Sequence, residues 1–465
     1  MPSASRFEEI DGPSFVSDQP PGRPWQPSPV FRQRLALALL LAGCAPTASE
    51  PLRSPSPPPQ PPSAPTPPPA PAPLPSAEPS PPSPPSPLAR FFAAARALDE
   101  GSRAEPLRIA VFGDSHIQAD HLTGRARKLL QERLGDAGLG FVHLGWRGYR
   151  HDGVRFERRG PFRTEPRPMS SSKPRGDGIY GLSGVRVVAE ASSFARLSFA
   201  TTPAPLLDVD LAYRLPTCPA RVRIVASHGK GAARQEEVRT LACQEAEEPG
   251  PIEHLELTVS GENPALSLEV QEGQIEVFGL VVEAPSPGVV LDALGISGAR
   301  AQTPLAWNRE AFVDEVRRRD YDLVVLAYGT NDSVPASPSA VPAFGEHLHD
   351  LLDRLREAAS QADCLVLGPM DRGEITRPDT APASRIVELN EEAARVAEEA
   401  GCGFASLLDW MGGPGSIDVW ANETPPLAQP DRIHLTQGGY DRLGERLAEA
   451  LLEGLETPTS PGTAR

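Results

Sequence analysis

The sequence predicts an α/β protein: a three-layer α/β/α sandwich on a parallel sheet, with a β-sandwich inserted into it. Two observations predict this. Apolar strand-like runs alternate with helix-periodic segments over residues 89–150 and again over 286–456. Alternation of this kind builds a parallel sheet covered by helices on both faces. Between them, over 151–285, the texture changes to short alternating or β-branched runs separated by Gly, Pro, Asn and acidic turns. That is the pattern of packed antiparallel sheets. A third observation sets the front of the chain apart: 20 of its 55 prolines fall between Pro51 and Pro87.

Residues 1–43 read as an export segment with an N-terminal extension. Arg32 and Arg34 precede an apolar run from Leu35 that is too short for a mature membrane span but has the length of a signal-peptide core. The run closes in Leu41-Ala42-Gly43-Cys44, which resembles a bacterial lipoprotein cleavage box. The resemblance implies removal of residues 1–43, a lipid on Cys44, and an exported product anchored in the bacterial cell envelope. The sequence before Val30 is unusual for a signal, which leaves a start downstream of Met1 open. A short buried helix is the competing reading; the proline-rich sequence beyond leaves it no core. Residues 44–88 are then a disordered tether, because proline lacks the amide donor and fixes φ. As polyproline II at ~3.1 Å per residue, such a tether reaches on the order of 100 Å.

The net charge is −16, from 45 basic and 61 acidic side chains. Residues 1–43 hold four of each, so the exported chain keeps that charge. An acidic chain lacks the basic surface that nucleic acid requires, and equally the polybasic surface that anionic lipid attracts. Beyond Cys44 the cysteines are Cys218, Cys243, Cys364 and Cys402, with no C-x-x-C among them, so a thiolate zinc site has no support. Export permits disulfides. Cys218 and Cys243 are placed to bridge within one segment. Cys364 and Cys402 begin apolar runs and are expected as buried thiols.

Along the globular part, Phe91–Leu98 reads as a lead-in helix and Leu107–Phe112 as a buried strand. Leu122, Ala126, Leu129, Leu130 and Leu134 recur at helical spacing, with Gly135 as a stop. Residues 136–149 match no simple pattern. Strands are expected at Val185–Ala189, Ala195–Phe199, Leu207–Tyr213, Arg221–Ser227, His254–Val259, Leu266–Val270 and Ile275–Val282. Then come a strand Val289–Leu294, a helix Pro304–Arg319, a strand Tyr321–Tyr328 and a helix Phe344–Ala359. A strand Asp363–Gly368, a helix Ala383–Ala400, a strand Gly403–Leu408 and a closing helix Leu435–Leu455 complete the domain. Residues 457–465 are expected to be a disordered tail.

In a parallel α/β sheet, reactive groups gather beyond the carboxyl ends of the strands. Three segments bring chemistry there. Gly113-Asp114-Ser115-His116 follows the first strand, Gly329-Thr330-Asn331-Asp332 follows a later one, and Asp431-Arg432-Ile433-His434 precedes the last helix. A serine is a poor nucleophile until a base takes its proton and donors hold the oxyanion that forms. His434 can be the base, with Asp431 fixing its other ring nitrogen. The Asn331 amide and the backbone N–H of Ser115 can donate to the oxyanion, as can a glycine N–H in Gly295-Ile296-Ser297-Gly298. Each motif alone is commonplace; their joint occurrence in this order is not.

These segments resemble the SGNH, or GDSL-type, hydrolases, over Leu107–Asp120 and Val289–Leu455. The resemblance implies a flavodoxin-like three-layer fold. It implies Ser115 as nucleophile, Asp431 and His434 as acid and base, and Ser115, Gly298 (with Gly295 as the other choice) and Asn331 as oxyanion donors. His116 stands where leucine is commoner. A metal-dependent reading, as in binuclear phosphoesterases, can be drawn from Asp114, His116, Asp120 and His121, but no second G-N-H cluster follows. No metal and no organic cofactor is expected.

The layout of G-D-S-H, β-rich insert, G-I-S-G-A, G-T-N-D and D-x-x-H looks like that of the peptidoglycan O-acetylesterases of this superfamily, whose inserts are of carbohydrate-binding-module type. This implies an envelope-anchored serine esterase that removes acyl, above all acetyl, groups from cell-wall or other extracellular glycan. A lipase, arylesterase or acyltransferase using the same residues, and a non-catalytic glycan-binding protein, are the alternatives.

Overall fold

The computed structural model describes residues 86–456 except 200–205, 230–233, 246–249, 335–338 and 374–384. The export segment, Cys44, nearly all of the proline-rich tract and the tail 457–465 lie outside the described residues, as do the first residues of the helix expected from Ala383.

The chain enters through α1 (Ala89–Asp99), which buries Phe91, Ala95 and Leu98, and forms β1 (Leu107–Gly113). The single turn α2 (Ser115–Gln118) and the helix α3 (Leu122–Leu134) follow. Eleven strands come next: β2 (Gly138–Val142), β3 (Val154–Arg159), β4 (Phe162–Glu165), β5 (Arg186–Glu190), β6 (Phe194–Phe199), β7 (Leu206–Arg214), β8 (Ala220–His228), β9 (Gln235–Cys243), β10 (Glu253–Ser260), β11 (Ala265–Glu272) and β12 (Gln274–Glu283). Alternation then resumes with β13 (Val289–Gly295), α4 (Arg309–Arg319), β14 (Leu323–Ala327), α5 (Ala340–Ala358), β15 (Asp363–Gly368), α6 (Ile386–Glu399) and β16 (Gly403–Ser406). The helices α7 (Leu407–Met411), α8 (Ser416–Asn422) and α9 (Gln437–Glu456) end the described chain.

The parallel sheet has the order β13-β1-β14-β15-β16. In chain order its strands lie 2-1-3-4-5, so the winding reverses between β1 and β14, and a crevice opens there at the carboxyl ends. Both faces are covered, which explains the nearly unbroken apolar strands. Ile109 and Val111 point into the layer of α1, α3 and α9, whereas Ala110 and Phe112 point into the layer of α4, α5 and α6.

The strands between α3 and β13 form two antiparallel sheets, β10-β7-β12-β5-β4 with β2 added beside β12, and β3-β6-β11-β8-β9. Their inward residues, among them Leu197, Leu211, Ile224, Leu268 and Ile275, share one core with the α4–α6 layer. Strand β2 couples the parts. It pairs with β12, and Phe141 N–H donates to the buried Asp292 of β13 at 2.8 Å. Asp292 also takes Arg319 at 2.8 Å and the Tyr321 hydroxyl at 2.5 Å, so this buried carboxylate is fully partnered.

Several local readings change. Strands β2, β3, β4 and β9 lack clean apolar alternation; β3 and β9 are half exposed, so their sequence carries little burial signal. The helix expected over Pro304–Arg319 is a 3-10 turn at Thr303–Ala306 followed by α4, because Asn308 caps the new helix through Ala311 N–H at 3.0 Å. The strand expected to run to Leu408 stops at Ser406, whose hydroxyl caps α7.

Cys218 and Cys243 are joined across the β8–β9 hairpin. Cys364 and Cys402 are also joined, which corrects their reading as thiols. Leu365 is in register with Gly403, so the residues just before them are neighbours, with Cα atoms 4.8 Å apart. Apolar context in the sequence cannot reveal that β15 and β16 are adjacent.

An ionic clamp joins the antiparallel part to α4. His254 of β10 bonds Asp210 of β7 at 3.0 Å and Glu315 of α4 at 3.1 Å, while Arg318 of α4 bonds Asp210 at 2.9 Å and Glu256 at 3.2 Å. Burial opposes charge on His254, but the two carboxylates outweigh it and raise the imidazole to about 9. A raised imidazole stabilises the fold fully below its unfolded value near 6.5 and loses that contribution as pH rises through about 9. His254→Gln is therefore expected to destabilise the protein by roughly 1–2 kcal/mol at pH 6 and by almost nothing at pH 10. Melting temperatures of both proteins across that range are the check; a difference that does not shrink with pH would refute the clamp.

Candidate active site

Ser115 opens α2 directly after β1. The preceding Asp114 caps the turn, its carboxylate accepting the His116 N–H at 3.0 Å. The turn folds tightly because Gly295 of β13 lies beneath it; a Cβ there would stand 2.2 Å from the Gln118 nitrogen. Gly295 therefore serves close packing of backbone on backbone. Gly298, three residues on, is exposed in a left-handed turn (φ +77°), and the turn is held by Ser297 N–H donating to the Gln118 side chain at 2.5 Å.

Asn331 follows β14, the neighbour of β1 on the other side. Its amide donates to Ala299 O at 3.0 Å and to Asp114 at 3.3 Å, so it ties the glycine turn to the serine turn. Arg372, in the loop after β15, braces this segment from behind by donating to Thr330 O at 2.9 Å and to the Ser333 hydroxyl at 3.1 Å.

The imidazole comes from the last loop. Asp431 accepts the N–H groups of Ile433 and His434, both at 3.0 Å, which folds the loop back on the carboxylate. Its second oxygen accepts His434 Nδ1–H at 2.7 Å, and the Ser115 hydroxyl lies 3.0 Å from Nε2. A carboxylate on Nδ1 places the ring proton there and leaves Nε2 free to accept from the serine. Helix α9 holds the loop at this height by packing on α3: a Cβ on Gly444 would meet Leu122 O at 2.5 Å. Ser115, His434 and Asp431 thus form one hydrogen-bonded line, and Asn331 bonds both Asp114, before the serine, and Ala299 O, beside Gly298.

Burial sets the charges around this line. It pushes Asp114 up to about 7, against the pull of the His116 N–H, His434 and the Thr330 side chain. It pushes Asp332 likewise to about 7. Asp431 differs: burial is outweighed by the bonds from His434 and Ile433, which hold its carboxyl below the usual range. His116, buried behind His434 with ring centroids 5.6 Å apart, is driven down to about 3. It is a neutral ring bonded to the Tyr440 hydroxyl at 2.9 Å, and it does not compete as a base near neutral pH.

The residues of the metal-dependent reading disperse. Asp120 is buried with Arg127 at 2.6 Å and Thr123 at 2.8 Å, and His121 stacks on Tyr440. His347 and His349, a paired H-x-H that the metal-dependent reading did not count, belong to α5, with His349 toward Asp353. Among the described residues no three His, Cys, Asp or Glu side chains are grouped to hold a metal ion. Sequence reasoning missed Gln118, Arg372 and Tyr440, which lie beside motif residues yet carry no motif of their own.

Residues 278–442 match the GDSL-like lipase/acylhydrolase family. No curated protein sequence matches the chain. A solved peptidoglycan O-acetylesterase superposes with a TM-score of 0.65 at 23% identity, over 80% of this chain and 97% of that one. A lipase/acylhydrolase from Enterococcus faecalis (TM-score 0.28, 22% identity) covers 35% of this chain and 76% of its own. An acetylxylan esterase from Geobacillus stearothermophilus (TM-score 0.28, 18% identity) covers 37% and 75%. Residues 278–442 thus carry a GDSL-type acylhydrolase domain, and domain and fold together support a serine ester hydrolase of SGNH type. The chain's fold resembles that of the peptidoglycan O-acetylesterase, and the chain has a parallel sheet with added antiparallel sheets.

Proposed function

We propose that the protein is an envelope-anchored acetylesterase acting on cell-wall or other extracellular glycan, with Ser115 as nucleophile. The observation that carries the mechanism is the line from Ser115 through His434 to Asp431. As Ser115 Oγ bonds to the ester carbon, its proton passes to His434 Nε2. The oxyanion rests on the N–H groups of Ser115 and Gly298 and on the Asn331 amide. His434 then gives its proton to the alcohol oxygen as that C–O bond breaks. Water, deprotonated by His434, attacks the acyl-serine, and the acid and free Ser115 are released.

Three features support a polymeric glycan as substrate. The His434 and Asp431 side chains are 37% and 45% exposed, so the site is shallow and open to a long chain. The fold is that of a peptidoglycan O-acetylesterase. The described chain also begins at the pole opposite the site, where Phe91 N–H bonds Asp363 at the start of β15. A lipid on Cys44 with a tether over 44–88 would give such a site the reach to act on wall glycan away from its anchor. The decisive experiment is acetate release from O-acetylated peptidoglycan and from acetylated xylan. Release from peptidoglycan at several times the xylan rate is expected; release from neither, alongside rapid hydrolysis of long-chain esters, would favour a lipase instead.

A further inference from the structure

Ser115 is flanked differently on its two sides. His434 arrives with α9, whose Tyr440, Leu443 and Leu447 pack in the layer of α1 and α3. On the side of the glycine turn comes the loop 166–180, which leaves the antiparallel part between β4 and β5. This loop rests on the turn that carries Gly298. Ser170 O accepts the Thr303 hydroxyl at 3.3 Å, and Asn308 N–H donates to Gly178 O at 2.9 Å. The loop is also braced from its own sheet, since Asp177 bonds Arg186 at 2.9 Å and Arg214 at 2.7 Å. The result is that the half-buried Ser170 side chain stands beside Gly298, its Oγ 3.3 Å from the position a Cβ on that glycine would take.

The stereochemistry of acyl transfer gives this placement a meaning. The leaving oxygen must reach His434 Nε2 to be protonated, so the alcohol part lies on the α9 side. The oxyanion faces the donors of the glycine turn and Asn331. The acyl substituent takes the remaining direction, away from His434, and the loop 166–180 is the segment that stands beside the glycine turn there. We propose that Ser170 walls the acyl subsite and confines it to a group of acetyl size. The antiparallel insert is then part of the specificity machinery. The proposal rests on Ser115 and His434 acting as described above.

The test compares kcat/KM for p-nitrophenyl acetate and p-nitrophenyl butyrate in the full chain and in its Ser170→Gly and Ser170→Leu variants. One methylene in a fitted subsite changes kcat/KM by roughly 10-fold or more. Ser170→Gly is expected to raise the butyrate-to-acetate ratio by about tenfold, and Ser170→Leu to lower it. A ratio within about twofold of the parent in both variants, with circular dichroism unchanged, overturns the acyl wall while leaving the nucleophile in place. If the parent shows no ester hydrolysis that Ser115→Ala removes, the catalytic reading falls and takes the wall with it.

Discussion

Ser115→Ala is expected to lower kcat for ester hydrolysis by about 10⁴-fold or more while the melting temperature stays close to that of the parent. The effect is large because the hydroxyl is the group that bonds to the ester carbon in the proposed mechanism. Alanine removes it without disturbing the Asp114 cap, which bonds the His116 N–H and not the serine side chain. His434→Ala should cost about as much, because without Nε2 the hydroxyl keeps its proton. The double variant should be little worse than either single one, since the two groups act as a unit. Activity toward p-nitrophenyl acetate, measured with both single variants and the double, checks this. A Ser115→Ala protein that keeps even a tenth of the parent rate would end the proposed mechanism.

Asn331→Ala is expected to lower kcat by about 10²–10³-fold with little change in KM, the loss typical of one oxyanion donor. In the resting protein the amide is engaged with Ala299 O and, more distantly, with Asp114. The longer bond to Asp114 is the one that gives way when an oxyanion forms. A purely structural asparagine would instead act through the glycine turn, and its loss would show chiefly in melting temperature. Steady-state kinetics beside thermal melts separate the two, and a kcat within a few-fold of the parent would remove Asn331 from the oxyanion role.

Much of the fold was legible because each parallel strand is buried on both faces and so reads as an apolar run. Leu107–Phe112, Val289–Leu294 and Asp363–Gly368 all lie within observed strands. The edge and half-exposed strands β3 and β9 were not legible, since alternation blurs when neither face is fully buried. The Cys364–Cys402 bond was misread for a different reason: pairing depends on which strands are neighbours, and no local pattern states that. Among the residues the structure brings together, Ser115, Asp431 and His434 lie in motifs that the sequence displays. Arg372 was not legible, because an arginine that supports a carbonyl from behind looks like any other arginine.

The chain's order of residues was sufficient to name the groups: a hydroxyl, an imidazole, a carboxylate and an amide, each at the end of a strand or the mouth of a helix. That follows from local physics, since backbone periodicity and turn residues are written in neighbouring positions. Which layer each group approaches from was settled only when the sheet closed in the order β13-β1-β14-β15-β16 and α9 came to rest on α3. The same packing brings Ser170, from a distant loop with no motif of its own, to the side of Gly298. Contacts of that kind arise from the burial of whole layers against one another, and a one-dimensional pattern holds no record of them.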